Sequence, residues 1–233
     1  MGSNPTARTM SAAFADRRDA GRRLAARLAD LAGEDVVVLA LPRGGVPVAA
    51  EVATALGAPL DVLVVGKVGV PGHEELALAA VADDGHVARN PSVIAATGLG
   101  DARVDELARG HVADLAERGR ALRGGRAPLA VAGRVAVVVD DGMATGATMR
   151  VAVAAVRGRA PAAVVAAVPV ASPEAVRAVA AAADRVECEL APAAFRAVGP
   201  WYDDFTQVGD AEVRDLLALS GPAPPPPDPP ADR

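Results

Sequence analysis

The 233-residue chain predicts an α/β fold: a mostly parallel sheet flanked by helices, with an added β-hairpin. Three observations carry that expectation. Valine-rich runs at Val36–Leu41, Val135–Val139 and Ala162–Val170 alternate with longer stretches of helical spacing. Runs of this kind, without polar alternation, belong to strands buried on both faces of a parallel sheet. Leu76–Val81 and His86–Asn90 instead flank the turn residues Asp84-Gly85, which is the pattern of an antiparallel hairpin. The length is also ample for one packed core. We expect one domain over residues 13–219, between a flexible start (1–12) and a tail (220–233) whose prolines cannot hydrogen-bond as helix or sheet.

In chain order, Ala15–Ala32 places Leu24, Leu28 and Leu31 on one face and arginines on the other, and Gly33 supplies a stop. After the strand Val36–Leu41 comes Pro42-Arg43-Gly44-Gly45 and a helix over Val46–Leu56. Arg43 is a fixed cation, and Gly44 and Gly45 present bare backbone for close approach to oxyanions. Arg123-Gly124-Gly125 repeats the tripeptide but follows a helix, so it is read as structural. Asp61–Gly66 predicts a second strand ending in Lys67, which is either an ordinary solvated lysine or one reaching a phosphate from the crevice at the strand ends. Asp101–Leu122 is a long charged helix that packs beside the hairpin or against a second subunit.

The stretch around which the chain is organised is Arg134–Arg150. Its strand, Val135–Val139, ends in Asp140 and Asp141. The loop Gly142, Met143, Ala144, Thr145, Gly146, Ala147, Thr148 follows, and Ala147–Val156 reads as helix. Small loop residues let amide groups converge on an anion, and the unpaired amides of a helix start point at the same place. Carboxylates for sugar hydroxyls beside amides and threonine hydroxyls for phosphate describe a ribose-phosphate site. The acids are adjacent, whereas a phosphatase-type strand end would hold them two residues apart.

Beyond it, Ala162–Val170 is a strand, and Ser172-Pro173-Glu174 starts a helix with a capping serine and a first-turn proline. Asp184–Cys188 is a short strand and Asp210–Leu219 a closing helix. Four of the five aromatics, Phe195, Trp201, Tyr202 and Phe205, cluster either as a satellite core or as a platform for a planar ligand such as an acceptor, with the core favoured.

The segment V-V-V-D-D-G-M-A-T-G-A-T resembles the signature of the type I phosphoribosyltransferases, in register from strand to helix. The resemblance spans roughly 15–218 and is dense at 42–45 and 135–150. It implies phosphoribosyl pyrophosphate as substrate, with magnesium arriving on its phosphates, and transfer of the ribose 5-phosphate to a nitrogen nucleophile. Asp140, Asp141 and Arg43 would be catalytic. Arg43, Gly44, Gly45, Lys67 and Gly142 to Thr148 would bind substrate, with the Gly44 and Gly45 amides on the pyrophosphate. The hairpin would be a mobile flap, with Glu74 and Glu75 at its entry. Relatives that salvage 6-oxopurines carry a third carboxylate where this chain has Ala144, so such purines are expected to be poor acceptors. Other readings of the resemblance are a non-catalytic nucleotide-binding regulator and a phosphoribosyl hydrolase.

Bulk numbers narrow the partners. A net charge of -5 and a pI near 5.3 argue against a nucleic-acid binder, whose footprint would be basic. The lone cysteine, Cys188, excludes an intrachain disulfide and a cysteine metal cluster. His73, His86 and His111 lack ligand spacing. No apolar run reaches the roughly 20 residues that span a bilayer, and the start lacks an apolar signal region. The pattern Met1-Gly2-Ser3-Asn4-Pro5-Thr6 fits a permissive myristoylation template and is set aside. The expectation is a soluble cytoplasmic protein without protein-held metal, and a homodimer.

Overall fold

A computed structural model describes residues 12–220. In chain order these form α1 (Arg17–Arg27), β1 (Val36–Ala40), α2 (Gly45–Leu56), β2 (Leu60–Val62), β3 (Val65–Val70), β4 (His73–Ala82) and β5 (Val87–Arg89). Then come α3 (Pro91–Thr97), α4 (Asp101–Leu122), β6 (Val135–Val139), α5 (Ala147–Arg157), β7 (Ala163–Val170), α6 (Pro173–Ala180), β8 (Arg185–Leu190) and α7 (Asp210–Leu219). Apart from Ala12 and Ser220, the expected flexible start and Pro-rich tail lie outside the described residues. No described helix is long and apolar enough to cross a membrane.

Five strands make a wholly parallel sheet in the order β2-β1-β6-β7-β8. From β1 the chain winds one way to β2, and from β6 the other way to β7 and β8. The order therefore reverses between β1 and β6, and a crevice opens there at the strands' carboxyl ends. Leu24 of α1, Leu28 at its C-cap, the apolar side of α2 and Val213, Leu216 and Leu217 of α7 bury one face of the sheet. Met149, Val153 and Val156 of α5 and Val179 of α6 bury the other.

The strand expected over Asp61–Gly66 divides between two sheets. Leu60–Val62 pairs with β1, whereas Val65 onward pairs antiparallel with β4 as part of a three-stranded ribbon β3-β4-β5. An apolar run reports burial and not which neighbour supplies it, so the break was silent in the sequence. What enforces it is a buried ion cluster. Arg123 donates to Asp61 (2.7 Å), to Asp83 (2.5 Å) and to the Val62 carbonyl (2.6 Å). The repeat tripeptide thus begins with a structural arginine, as the sequence suggested.

The hairpin about Asp84-Gly85 is present, and Gly85 takes the left-handed conformation the turn needs (φ 89°). Its turn is not a free tip, however. Asp83 is held by Arg123, and Arg159 pairs with Asp84 at 2.8 Å, so this end of the expected mobile flap is clamped to the domain. The ribbon's exposed turn is at Pro71-Gly72, and Glu74 and Glu75 follow it in β4. Val104 and Ala108 of α4 pack on Val68, Leu78 and Val81 of the ribbon, which decides the helix's neighbour. The strand expected over His86–Asn90 stops at Arg89, and helix α3 follows directly. Asn90 caps it and Pro91 opens it, a start signal the strand pattern masked. Helix α1 ends at Arg27, short of the expected Ala32, because a single 3-10 turn over Ala29–Leu31 intervenes before Gly33.

Candidate active site

Asp140 and Asp141 stand at the carboxyl end of β6, the sheet's middle strand. Asp140 Oδ1 accepts the Asp141 amide at 2.9 Å, which turns the two carboxylates into one crevice. Asp141 Oδ2 accepts from Arg17 Nε at 2.9 Å. Arg17 is itself fixed by donating to the Thr206 carbonyl (2.8 Å) and by lying 4.0 Å from the Phe205 ring centroid. Burial, then the charge of Asp141, holds Asp140 well above the usual carboxylate range. Burial also raises Asp141, opposed by Arg17. Two half-buried carboxylates beside one cation gain from hydroxyl donors or positive charge arriving with a ligand.

Arg17 was missed in the sequence because it sits in an arginine-rich helix whose other arginines are solvated. It is buried because the Asp204–Thr206 segment folds over it. Tyr202, offered as an acceptor platform, is part of that cover and not an open face. Its ring is buried between Phe14 (5.3 Å) and Phe205 (5.1 Å), and its hydroxyl donates to the Asp141 carbonyl at 2.6 Å. Burial, then the charge of Asp141, pushes that hydroxyl's pKa up, keeping it a donor. Trp201 is half-buried against the same cluster, so the satellite-core reading of the aromatics holds.

The loop after the acids is braced from behind. Met143 is buried and donates its amide to the Val170 carbonyl (2.9 Å), and Ser172 Oγ donates to the Ala144 carbonyl (2.8 Å) while capping α6. A Cβ on Gly142 would lie 2.6 Å from Val198. Gly146 must be glycine because it caps α5 at φ 70° with Val179 and Ala175 against it. Thr145 Oγ1 accepts the Ala147 amide at 3.3 Å. Ala144, Thr145, Ala147 and Thr148 are exposed, so a rigid backbone carries an open rim at the start of α5.

Across the crevice, the Pro42-Arg43 peptide is cis, and Gly44-Gly45 packs directly on the acids. A Cβ on Gly44 would lie 2.7 Å from Asp141 Cγ, and one on Gly45 would lie 2.9 Å from Asp140 Cα. Only glycines let this loop and the acid pair share one crevice. Of the two amides expected to face an anion, that of Gly45 is already donated to the Leu41 carbonyl (3.0 Å), since it closes the first turn of α2. The Gly44 amide has no partner among the described residues. Arg43 Nη1 donates to Asp210 at 3.3 Å.

Lys67 is not at a strand's carboxyl end. It lies mid-strand in β3, paired with Ala80, because the chain has already left the parallel sheet. Between Pro42 and Thr148 a cleft of about 190 Å³ is lined also by Leu63, Leu115 and the exposed Arg118. Arg118 is a second cation the sequence reading passed over, since nothing distinguishes it from other arginines on a charged helix. Among the described residues no three His, Cys, Asp or Glu side chains converge on a metal position.

Fold and site define a doubly wound α/β protein with an acid pair, a glycine loop and a helix start gathered at its switch point. A sequence model of the phosphoribosyl transferase domain matches residues 13–204, and the chain belongs to that family. Two Mycobacterium tuberculosis proteins (strains CDC 1551 / Oshkosh and ATCC 25618 / H37Rv), both named "Putative phosphoribosyl transferase", are each 47% identical over 204 residues. The match takes in 88% of this chain and 46% of each relative, so the chain spans about half the length of those curated relatives. The crystal structure of TT1426 from Thermus thermophilus superposes with a TM-score of 0.83 at 44% identity, covering 90% of this chain and 99% of that one.

Proposed function

We propose that the crevice is a phosphoribosyl pyrophosphate site and that the chain transfers ribose 5-phosphate from it to a nitrogen nucleophile. One observation carries the reading: the Gly44-Gly45 loop and the Asp140-Asp141 pair are in contact at the switch point, with the open Thr145–Thr148 rim alongside. Pyrophosphate, ribose and 5′-phosphate would occupy those three in turn. In the reaction the anomeric C–O bond breaks with its electron pair leaving on pyrophosphate, and a bond from the nucleophile's nitrogen to that carbon forms. Positive charge develops on the sugar, facing the two carboxylates. Negative charge grows on the leaving group, facing the Gly44 amide and Arg43. Magnesium belongs to the substrate, because it prefers phosphate oxygens and water to an all-protein cage. Melting with millimolar phosphoribosyl pyrophosphate and magnesium is the direct test. Mass action should raise the midpoint, and an unmoved curve would remove the reading.

Arg43 donates to Asp210, and a pyrophosphate would compete for that donor. Losing one such contact to a leaving group costs on the order of 2 to 4 kcal/mol in the transition state. Arg43→Ala should therefore lower turnover far more than it weakens binding of a 5′-monophosphate. Equal losses in both would place Arg43 outside the pyrophosphate position.

The acceptor follows from Ala144. It is exposed on the rim, its carbonyl is bound by Ser172, and its methyl group can neither take nor give a proton. Hypoxanthine and guanine should be poor acceptors in steady-state assays set beside uracil, orotate and ammonia. Efficient turnover of either purine would contradict this. Release of free ribose 5-phosphate without any acceptor would mark a hydrolase.

A further inference from the structure

Lys67 lies outside the crevice, yet its surroundings are organised. On the ribbon it stands opposite Ala80, and Ala80 opposite Ala88, so the three share one face. The other face, with Val68, Ala79 and Val81, is packed on α3 and α4. The alanine face looks toward the flank of α5, and methyl groups are too short to close the gap. A cleft of about 350 Å³ remains between ribbon and helix, lined by Lys67, Ala80, Ala88, Arg150, Val151 and Ala154 among others. That is the size of a small-ligand pocket.

Its charge is unbalanced. Lys67 on the ribbon and Arg150 on α5 both line the cleft, and neither side chain has a hydrogen bond or ion pair among the described residues. The third cation there, Arg89, is spent on Asp105. The cleft's lining includes no carboxylate among the described residues. Two like charges brought toward each other over an apolar floor repel, and an anion between them would reverse the sign of the interaction.

We infer that this cleft is a second ligand site, separate from the acid pair, for a small ring-bearing anion. The alanine walls take the ring, and Lys67 and Arg150 take its phosphate or carboxylate. The inference goes beyond the proposed transferase reaction and does not depend on it. Ala147 is both the first residue of α5 and part of this cleft's lining, so an occupant would touch the helix that closes the Thr145–Thr148 rim.

Calorimetric titration of the full chain should use AMP (ring and phosphate), orotate (ring and carboxylate), adenosine (ring alone) and inorganic phosphate, with Lys67→Gln/Arg150→Gln alongside. AMP or orotate should bind the unmodified chain and lose at least tenfold in affinity in the double variant, while adenosine and inorganic phosphate bind far more weakly. The variant should melt no lower than its parent, since it removes two unpaired exposed charges, and should keep its response to phosphoribosyl pyrophosphate. Undiminished AMP and orotate binding in the double variant would put both ligands at the rim and overturn the inference. So would failure of both to bind, or phosphate alone binding as well as AMP. Ring anions binding through Lys67 and Arg150 in a chain that ignores phosphoribosyl pyrophosphate would sustain the inference and remove the transferase reading.

Discussion

Asp140→Asn is expected to lower turnover of phosphoribosyl pyrophosphate by on the order of 10²- to 10³-fold while raising the melting midpoint of the ligand-free protein. The two effects have one cause. Asp140 is held above its ordinary carboxylate range by burial and by Asp141. Between the unfolded and the folded pKa the native chain therefore binds the extra proton, and stability falls as pH rises through that window. Above it the full cost of the buried charge is present. Asparagine removes that charge yet can still accept the Asp141 amide through its oxygen, so the geometry at 2.9 Å survives. Each kcal/mol recovered should appear as roughly 2 to 4 °C in Tm at this chain length, and the pH dependence should flatten. A neutral-pH midpoint below the parent's, with activity intact, would mean that Asp140 is a structural carboxylate and not part of a reaction site.

Arg123→Ala should produce the largest loss of stability of any single change considered. It strands the buried carboxylates of Asp61 and Asp83, and breaking a buried pair from one side costs about 3 to 5 kcal/mol. On the same scale, that is a fall of roughly 6 to 20 °C in Tm. Burial already raises the Asp83 pKa against the pull of Arg123 and Arg159, so without Arg123 this carboxylate keeps only the longer pairing to Arg159 at 3.9 Å. Arg123→Met combined with Asp61→Asn and Asp83→Asn should recover most of the loss, because neutral groups replace the whole cluster. Arg123→Ala melting within a degree of the parent would show that the cluster does not hold β2 and the hairpin turn together. The contrast with Arg43 is instructive. The two Arg-Gly-Gly copies are alike in sequence, but the arginine of one is buried at the end of α4 and that of the other stands at the edge of the crevice.

Which parts of the site could be read without coordinates follows from how local each one is. The acid pair, the rim and the start of α5 lie on one unbroken stretch, in which strand, carboxylates, glycines and helix start each leave a local mark. That stretch and the Gly44-Gly45 loop were legible for this reason. Arg17 was not, because what distinguishes it is burial under Phe205 and a bond to a carboxylate more than a hundred residues away. Tyr202 was half legible. Its clustering with other rings showed, but its hydroxyl's hold on the Asp141 carbonyl did not. Lys67 was misplaced because a run of valines states that a segment is buried and is silent on when the chain changes sheets.

By itself, then, the sequence determined the α/β class, nearly every helix and strand, and the place of the acid pair and of the small-residue loop that leads into α5. These depend on side-chain periodicity, capping and turn chemistry within a few residues. The tertiary structure alone decided that β1 and β6 are neighbours, so that the glycine loop closes on the acids. It also decided that Arg17 completes them, that Arg123 clamps the hairpin's turn, and that Lys67 and Arg150 line one cleft. Those outcomes depend on pairings between distant segments. The free energy of such pairings comes from mutual burial and charge compensation, and neither leaves a mark on the residues of one partner taken alone.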